Sequence, residues 1–240
     1  MKKGIIVQAR TGSSRLPNKV MMELDDKKVL AHVLERLSQV ENADVVIIAT
    51  TEKESDDVIF EFCKKRAVPC FRGSEDDVLS RYYGAAKEHK LDVVVRITSD
   101  CPLIDPKIID EMLGRYEEGI LTTGNSDLST RTFPRGMDTE IFKFEYLKDA
   151  FNNASEKYQR EHVTPYIYEN YENIIFSNEV DYSKYRLTLD TKEDFQLIRA
   201  VYEILYSGYH DFYLAEIIDV MEKNPEFYQI NCMIEQKKVK

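Results

Sequence analysis

"GIIVQARTGSSRLPNK" (residues 4–19) opens the chain and decides how the rest is read. Ile5, Ile6 and Val7 make an apolar β-branched run of strand type. Behind it, Gln8 to Lys19 carry Arg10, Arg15 and Lys19, together with Gly12, Ser13 and Ser14, and no acid. In an open α/β sheet, ligands collect beyond the carboxyl ends of the strands, and the loop after the first strand commonly meets phosphate. Gly12 would let the backbone approach phosphate oxygens, Ser13 and Ser14 offer hydroxyls and amides, and the three cations supply charge. The loop is not a P-loop, because the second glycine and the Lys-Ser/Thr ending are missing, and it is not G-x-G-x-x-G. A solvated loop whose basic residues offset nearby acids fits the same composition.

Outward from this loop, short β-branched runs alternate with helical patterns, which predicts βαβ units around a largely parallel sheet. Strands are expected at Gly4–Gln8, Asp44–Thr50, Val68–Phe71, Asp92–Thr98, Ile120–Thr123, Met137–Phe142, Asn173–Ser177 and Tyr185–Leu189. Val29, Leu30, Val33, Leu34 and Leu37 form one helical stripe, and Ile198, Val201, Tyr202 and Leu205 another. Asp105-Pro106 and Thr164-Pro165 read as helix starts with an N-cap before proline, and Thr191 with Asp194 resembles a capping box. Residues Thr122–Gly136 have little periodicity and read as a loop over a site or at a dimer interface. The tail after Asn224, residues 225–240, reads as polar and peripheral. No repeat or linker interrupts residues 1–240, which predicts a single domain.

The chain has 240 residues, 43% hydrophobic, with a net charge of −10. That charge argues against a nucleic-acid or anionic-membrane binder, since both need a basic surface. The basic residues are nevertheless concentrated at the start, where Lys2, Lys3, Arg10, Arg15 and Lys19 precede the first acid, Glu23. A local basic site on an acidic body suggests a small polyanionic ligand. Cys63, Cys70, Cys101 and Cys232 lack the spacing of a zinc site or of a disulfide framework, which fits the cytoplasm. No stretch approaches the roughly 20 apolar residues of a membrane span.

Two aspartates stand where strands are expected to end. "VVVRITSDCPLIDP" runs into Asp100, and "YRLTLDTKEDF" into Asp190 just before a capped helix. A pair of strand-end carboxylates opposite a basic loop suggests Mg2+ held by carboxylates and triphosphate oxygens. Singly, either aspartate could be a turn or cap residue.

Taken in order with "RGSEDDVLSRY", "PRGMDTEIF" and "REHVTPYIY", these blocks resemble the cytidylyltransferases of sugar activation, such as acylneuraminate cytidylyltransferase and CMP-KDO synthetase. The resemblance spans roughly residues 4 to 206, and it is nearest to the SpsF group of spore coat polysaccharide biosynthesis proteins. It implies a three-layer α/β/α, Rossmann-like nucleotidyltransferase domain of GT-A type, with a mostly parallel mixed sheet and commonly a homodimer.

The resemblance also implies roles. The family's loop signature maps onto Ala9, Arg10, Gly12, Ser13, Arg15 and Lys19, which are expected to hold the CTP phosphates; Arg10, Arg15, Lys19 and Asp100 are expected to carry catalysis. Asp100 and Asp190 match the metal ligands, with Arg72, Ser80 and Arg81 as further nucleotide contacts. Asn125, Arg135, Asp138, Glu140, Arg160 and His162 are expected on the sugar side, although His162 also reads as a helix residue bonded to a neighbouring acid. Cys101 is read as packing. The expected reaction transfers CMP from CTP to a sugar, of acidic or 2-keto type, with release of pyrophosphate. A GT-A glycosyltransferase and a silent nucleotide-binding subunit are the alternatives; the chain has no Asp-x-Asp motif, which weighs against the first.

Overall fold

Strand β1 (Lys3–Gln8) lies inside the sheet because its side chains are apolar on both faces. Ile5 and Val7 enter one buried cluster and Ile6 the other, as a period of two requires. The computed structural model describes residues 1–124 and 131–236. The remaining strands are β2 (Glu23–Leu24), β3 (Lys27–Lys28), β4 (Val45–Thr51), β5 (Cys70–Gly73), β6 (Val93–Thr98), β7 (Ile120–Thr122), β8 (Glu140–Lys143) and β9 (Asn173–Ile175). Seven of them form one sheet in the order β5-β4-β1-β6-β8-β7-β9, and β2 pairs with β3 in a small hairpin. Pairing is parallel except around β8, which is antiparallel to both β6 and β7.

The helices are α1 (Val29–Leu37), α2 (Asp57–Lys65), α3 (Val78–Glu88), α4 (Pro106–Arg115), α5 (Phe144–Asn153), α6 (Lys157–His162), α7 (Pro165–Asn170), α8 (Lys192–Leu205), α9 (Leu214–Lys223) and α10 (Pro225–Asn231). The apolar stripe of α1 packs with Ile5, Val7, Val93, Val95 and Ile97 on one face, joined by α4, α8 and α9. Leu79, Tyr82 and Ala86 of α3 pack with Ile6, Ile47 and Val94 on the other face, joined by Leu147 of α5. The result is the expected α/β/α layering with a mostly parallel mixed sheet.

Three expectations need correction. Residues 185–189 do not form a ladder; Arg186 makes one bridge to Arg135, and Leu187 N donates to Arg135 O at 2.7 Å. The opposing segment has Gly136 in the left-handed region, with φ of +100°, and the bridge stays isolated. Second, Thr164 makes no side-chain cap at the start of α7; its hydroxyl donates to Glu140 at 3.0 Å instead. Third, residues 225–231 are not peripheral, because Phe227, Tyr228 and Ile230 of α10 pack on the core and Asn231 is 3% exposed. Elsewhere the cap chemistry holds: Asp105 caps α4 ahead of Pro106, and Thr191 and Asp194 bond reciprocally at the start of α8.

Candidate active site

The basic loop is built around Thr11. Its carbonyl accepts from the amides of Ser13 and Asn18, both at 2.9 Å, so the chain closes into a tight ring that Asn18 leaves with φ of 60°. The amide and hydroxyl of Thr11 each donate to Asp56 Oδ1 at 2.7 Å. The other Asp56 oxygen takes the Thr51 hydroxyl. Buried Leu16 plugs the loop into the core. Ser13 and Ala9 belong to the frame as well: the Ser13 hydroxyl accepts from Leu16 N at 3.4 Å, and Ala9 extends the sheet by bonding Ala49 O at 3.1 Å.

This frame turns Lys19 inward. Its ammonium donates to Asp100 Oδ2 at 2.6 Å, to Leu189 O at 2.8 Å and to Asp190 Oδ1 at 2.9 Å. Arg15 Nη2 lies 2.8 Å from Asp190 Oδ2. Arg186 reaches the same oxygen at 2.8 Å and also grips Asp194, with Nε 2.8 Å from Oδ1. Burial works against both charges of the Lys19–Asp100 pair, yet their mutual attraction prevails. Lys19 is held above its usual pKa and Asp100 below the usual carboxylate range. Burial also pushes the Cys101 thiol well up, with the Asp100 charge adding to it, in keeping with packing rather than reactivity.

Toward β5, Arg10 lies 3.5 Å from Glu75, which also meets Lys53. A Cβ on Gly12 would meet the same Glu75 carboxylate at 3.4 Å. Arg72 is tied to the protein, bonding Thr51 O at 2.8 Å, Lys53 O at 3.0 Å and Asp57 Oδ1 at 2.7 Å. Ser80 takes part in the cap of α3, its amide donating to Asp77 Oδ1 at 3.0 Å. Arg81 is 2% exposed, and its Nε and Nη1 have no partner among the described residues. Burial, and then the neighbouring Arg10 charge, lower its pKa.

The residues expected at the sugar separate into two groups. Arg135 and Asp138 stay near the carboxylates, since Leu187 and Leu189 bond the Arg135 and Asp100 carbonyls in turn. Asp138 binds buried Arg131, a residue the sequence reading did not single out, and among the described residues Arg131 Nε and Nη1 have no partner. Burial, with the charges of Arg131 and Arg186, lowers the Arg135 pKa. By contrast, Glu140 sits in a buried network, 2.5 Å from Arg96 and accepting from Tyr168 at 2.6 Å. Arg160 fixes α6 to the start of α3 through two bonds to Asp77 Oδ2, at 2.9 and 2.6 Å. His162 ends α6, and its carbonyl accepts from the Thr164 hydroxyl at 3.5 Å. Asn125 lies outside the described residues.

Sequence reasoning missed Asp56, Arg186 and part of what Asp194 does. Asp194 is fully buried and accepts from Arg186, Asn231 Nδ2, Asp190 N and Thr191 N. Its cap position was legible, but its bond back across eight residues to Arg186 shows only in the folded chain. For a divalent ion, Asp100, Asp190 and the Leu189 carbonyl present three hard oxygens to one cationic point, which suits a metal that takes its other ligands from water and phosphate. No cluster of three or more His, Cys, Asp or Glu able to hold a metal occurs among the described residues.

The sequence profile of the cytidylyltransferases matches residues 4–239. The chain belongs to the cytidylyltransferase family. It is 42% identical over 237 residues to the uncharacterized protein MJ1063 of Methanocaldococcus jannaschii, covering 97% of this chain and 95% of that one. It is 32% identical to the spore coat polysaccharide biosynthesis protein SpsF of Bacillus subtilis, covering 92% and 94%. A solved cytidylyltransferase from Leptospira borgpetersenii superposes with a TM-score of 0.89 at 40% identity, over 98% of this chain and 100% of that one. No helix among the described residues of this cytidylyltransferase is long and apolar enough to cross a membrane.

Proposed function

We propose that this cytidylyltransferase activates an acidic or 2-keto sugar, moving CMP from CTP to a sugar hydroxyl with release of pyrophosphate, for surface or spore coat polysaccharide. The observation that carries the reading is the convergence of Lys19 and Arg15 on Asp100 and Asp190 at the carboxyl edge of the sheet. The name of the Bacillus subtilis relative supports the polysaccharide context.

In this reaction the sugar oxygen bonds to the α-phosphorus, the bond to the pyrophosphate oxygen breaks in line, and the hydroxyl proton passes to solvent. Charge grows on the departing pyrophosphate, and the positive charges of Arg10, Arg15 and Lys19 stabilise it. Asp100 and Asp190 would hold Mg2+, which supplies neutralisation of phosphate charge when bound. Arg81, a buried cation with no carboxylate partner among the described residues, adds positive potential beside Arg10. Arg135, beside the Arg131–Asp138 pair, meets the carboxylate of the acceptor.

A coupled pyrophosphate assay with CTP, Mg2+ and a panel of sugar acids and neutral sugars tests the reading. Pyrophosphate release with a sugar acid, lost in Asp100→Asn, is expected. Consumption of a finished nucleotide sugar without pyrophosphate release would instead mark a glycosyltransferase.

A further inference from the structure

The Lys19 ammonium has three N–H donors and no lone pair. All three are spent, on Asp100 Oδ2, Leu189 O and Asp190 Oδ1. In this arrangement Lys19 has nothing left to give a phosphate, and the point where the two carboxylates converge is filled by its nitrogen. The local charges also balance. Lys19, Arg15 and Arg186 face Asp100, Asp190 and Asp194, three cations against three carboxylates joined by five ion pairs. A divalent ion added to that set would place two uncompensated positive charges in a largely buried site, where such charge is costly.

We infer that Lys19 is the resident counter-ion of the metal site and is exchanged for the divalent cation when a triphosphate arrives. The incoming phosphates supply negative charge that draws the ammonium off the carboxylates, and the metal takes the vacated oxygens, so neither carboxylate is left unpaired. Lysine suits this exchange because its charge is a compact point on a flexible stem of four carbons. Arg186 cannot make it, since its guanidinium is anchored by two bonds to Asp194, at 2.8 and 3.1 Å. The protein without nucleotide therefore binds divalent cation poorly, although both carboxylates are present and aimed at one point. By linkage, nucleotide and metal must strengthen each other. The inference rests on reading Asp100 and Asp190 as the metal ligands.

The test is a Mn2+ titration of the whole chain without nucleotide, following free Mn2+ by its electron paramagnetic resonance signal. The unaltered protein should leave almost all Mn2+ free. Lys19→Met keeps both carboxylates and removes the competing ammonium, and should bind one Mn2+ at least about tenfold more tightly, within the usual range of coupling between sites. Adding Asp100→Asn to Lys19→Met should abolish that binding. Equal, tight Mn2+ binding by the unaltered protein and Lys19→Met overturns the exchange while leaving the metal site in place. If Lys19→Met takes up no Mn2+, the exchange falls and the assignment of Asp100 and Asp190 falls with it. Should Lys19→Met fail to fold, a crystal of the unaltered protein with CTP and Mn2+ decides. Anomalous scattering between Asp100 and Asp190 with Nζ displaced is expected, and Nζ still bound to both carboxylates overturns the inference.

Discussion

The amide of Leu189 donates to the carbonyl of Asp100 at 2.8 Å, so the two carboxylate-bearing segments lie side by side although they come from distant parts of the chain. This bond places Asp190 next to Asp100, and Lys19 closes the space between them. Lys19→Ala and Asp100→Asn should each cost about 3 kcal/mol of transition-state stabilisation, roughly a hundredfold in rate of pyrophosphate release. Steady-state kinetics with unchanged circular dichroism checks this, and normal turnover in either variant contradicts it.

Asp194 holds Asp190 at one remove. It is fully buried, binds Arg186 through both oxygens, and accepts the Asp190 amide at 2.9 Å. Removing one partner of a buried ion pair leaves the other uncompensated, so Asp194→Ala should lower stability by about 3–5 kcal/mol. Urea unfolding measures it; a loss below about 1 kcal/mol, the level of a surface pair, would show that the pair is not held in a dry interior.

Gly136 and Gly114 should respond oppositely to the same substitution. At Gly136, φ is +100° and a Cβ would stand 2.5 Å from the carbonyl carbon and oxygen of Leu187. Gly136→Ala should therefore cost about 1–3 kcal/mol and disturb the segment leading to Asp190. Nothing lies within 4 Å of a Cβ at Gly114, inside α4. Gly114→Ala should stabilise by up to about 1 kcal/mol. Thermal unfolding of the two variants checks the contrast.

A buried histidine pair sets the acid limb of stability. His32 Nε2 lies 2.7 Å from the Leu24 carbonyl, an acceptor only, so it carries the proton and leaves Nδ1 to accept from His210 Nε2 at 3.0 Å. Burial lowers both pKa values, that of His210 to about 3. The unfolded chain binds protons near pH 6.5 that the folded chain refuses, so stability falls as pH drops below that value. The slope is at most about 1.4 kcal/mol per pH unit for each histidine. Tm should fall between about pH 7 and pH 5, and His210→Gln should flatten the decline. A pH-independent Tm over that range contradicts the buried neutral pair.

The fold was legible because local chemistry and global packing agree along most of the chain. Alternating β-branched runs gave β1, β4 and β6, and the stripe of α1 meets them on one face. Asp105 and Thr191 read correctly as helix starts because their side chains bond the backbone locally. Residues 185–189 misled, since β-type composition cannot reveal that the bridge to Arg135 stays isolated. The meeting of Lys19 with Asp100 and Asp190 was legible through family resemblance and, for Asp100 alone, through its place after a strand, since Asp190 follows a segment that forms no ladder. The partners of Glu140, Arg96 and Tyr168, come from separate elements, and no spacing in the sequence announces them.

Thermal unfolding with CTP, UTP and ATP, each with Mg2+, tests the central claim most directly, because a ligand at a hundred times its Kd adds about 2.7 kcal/mol to folding stability. A rise in Tm with CTP, absent with ATP and lost in Arg15→Ala, is the predicted result. No rise with CTP, or the same rise with ATP, contradicts the account.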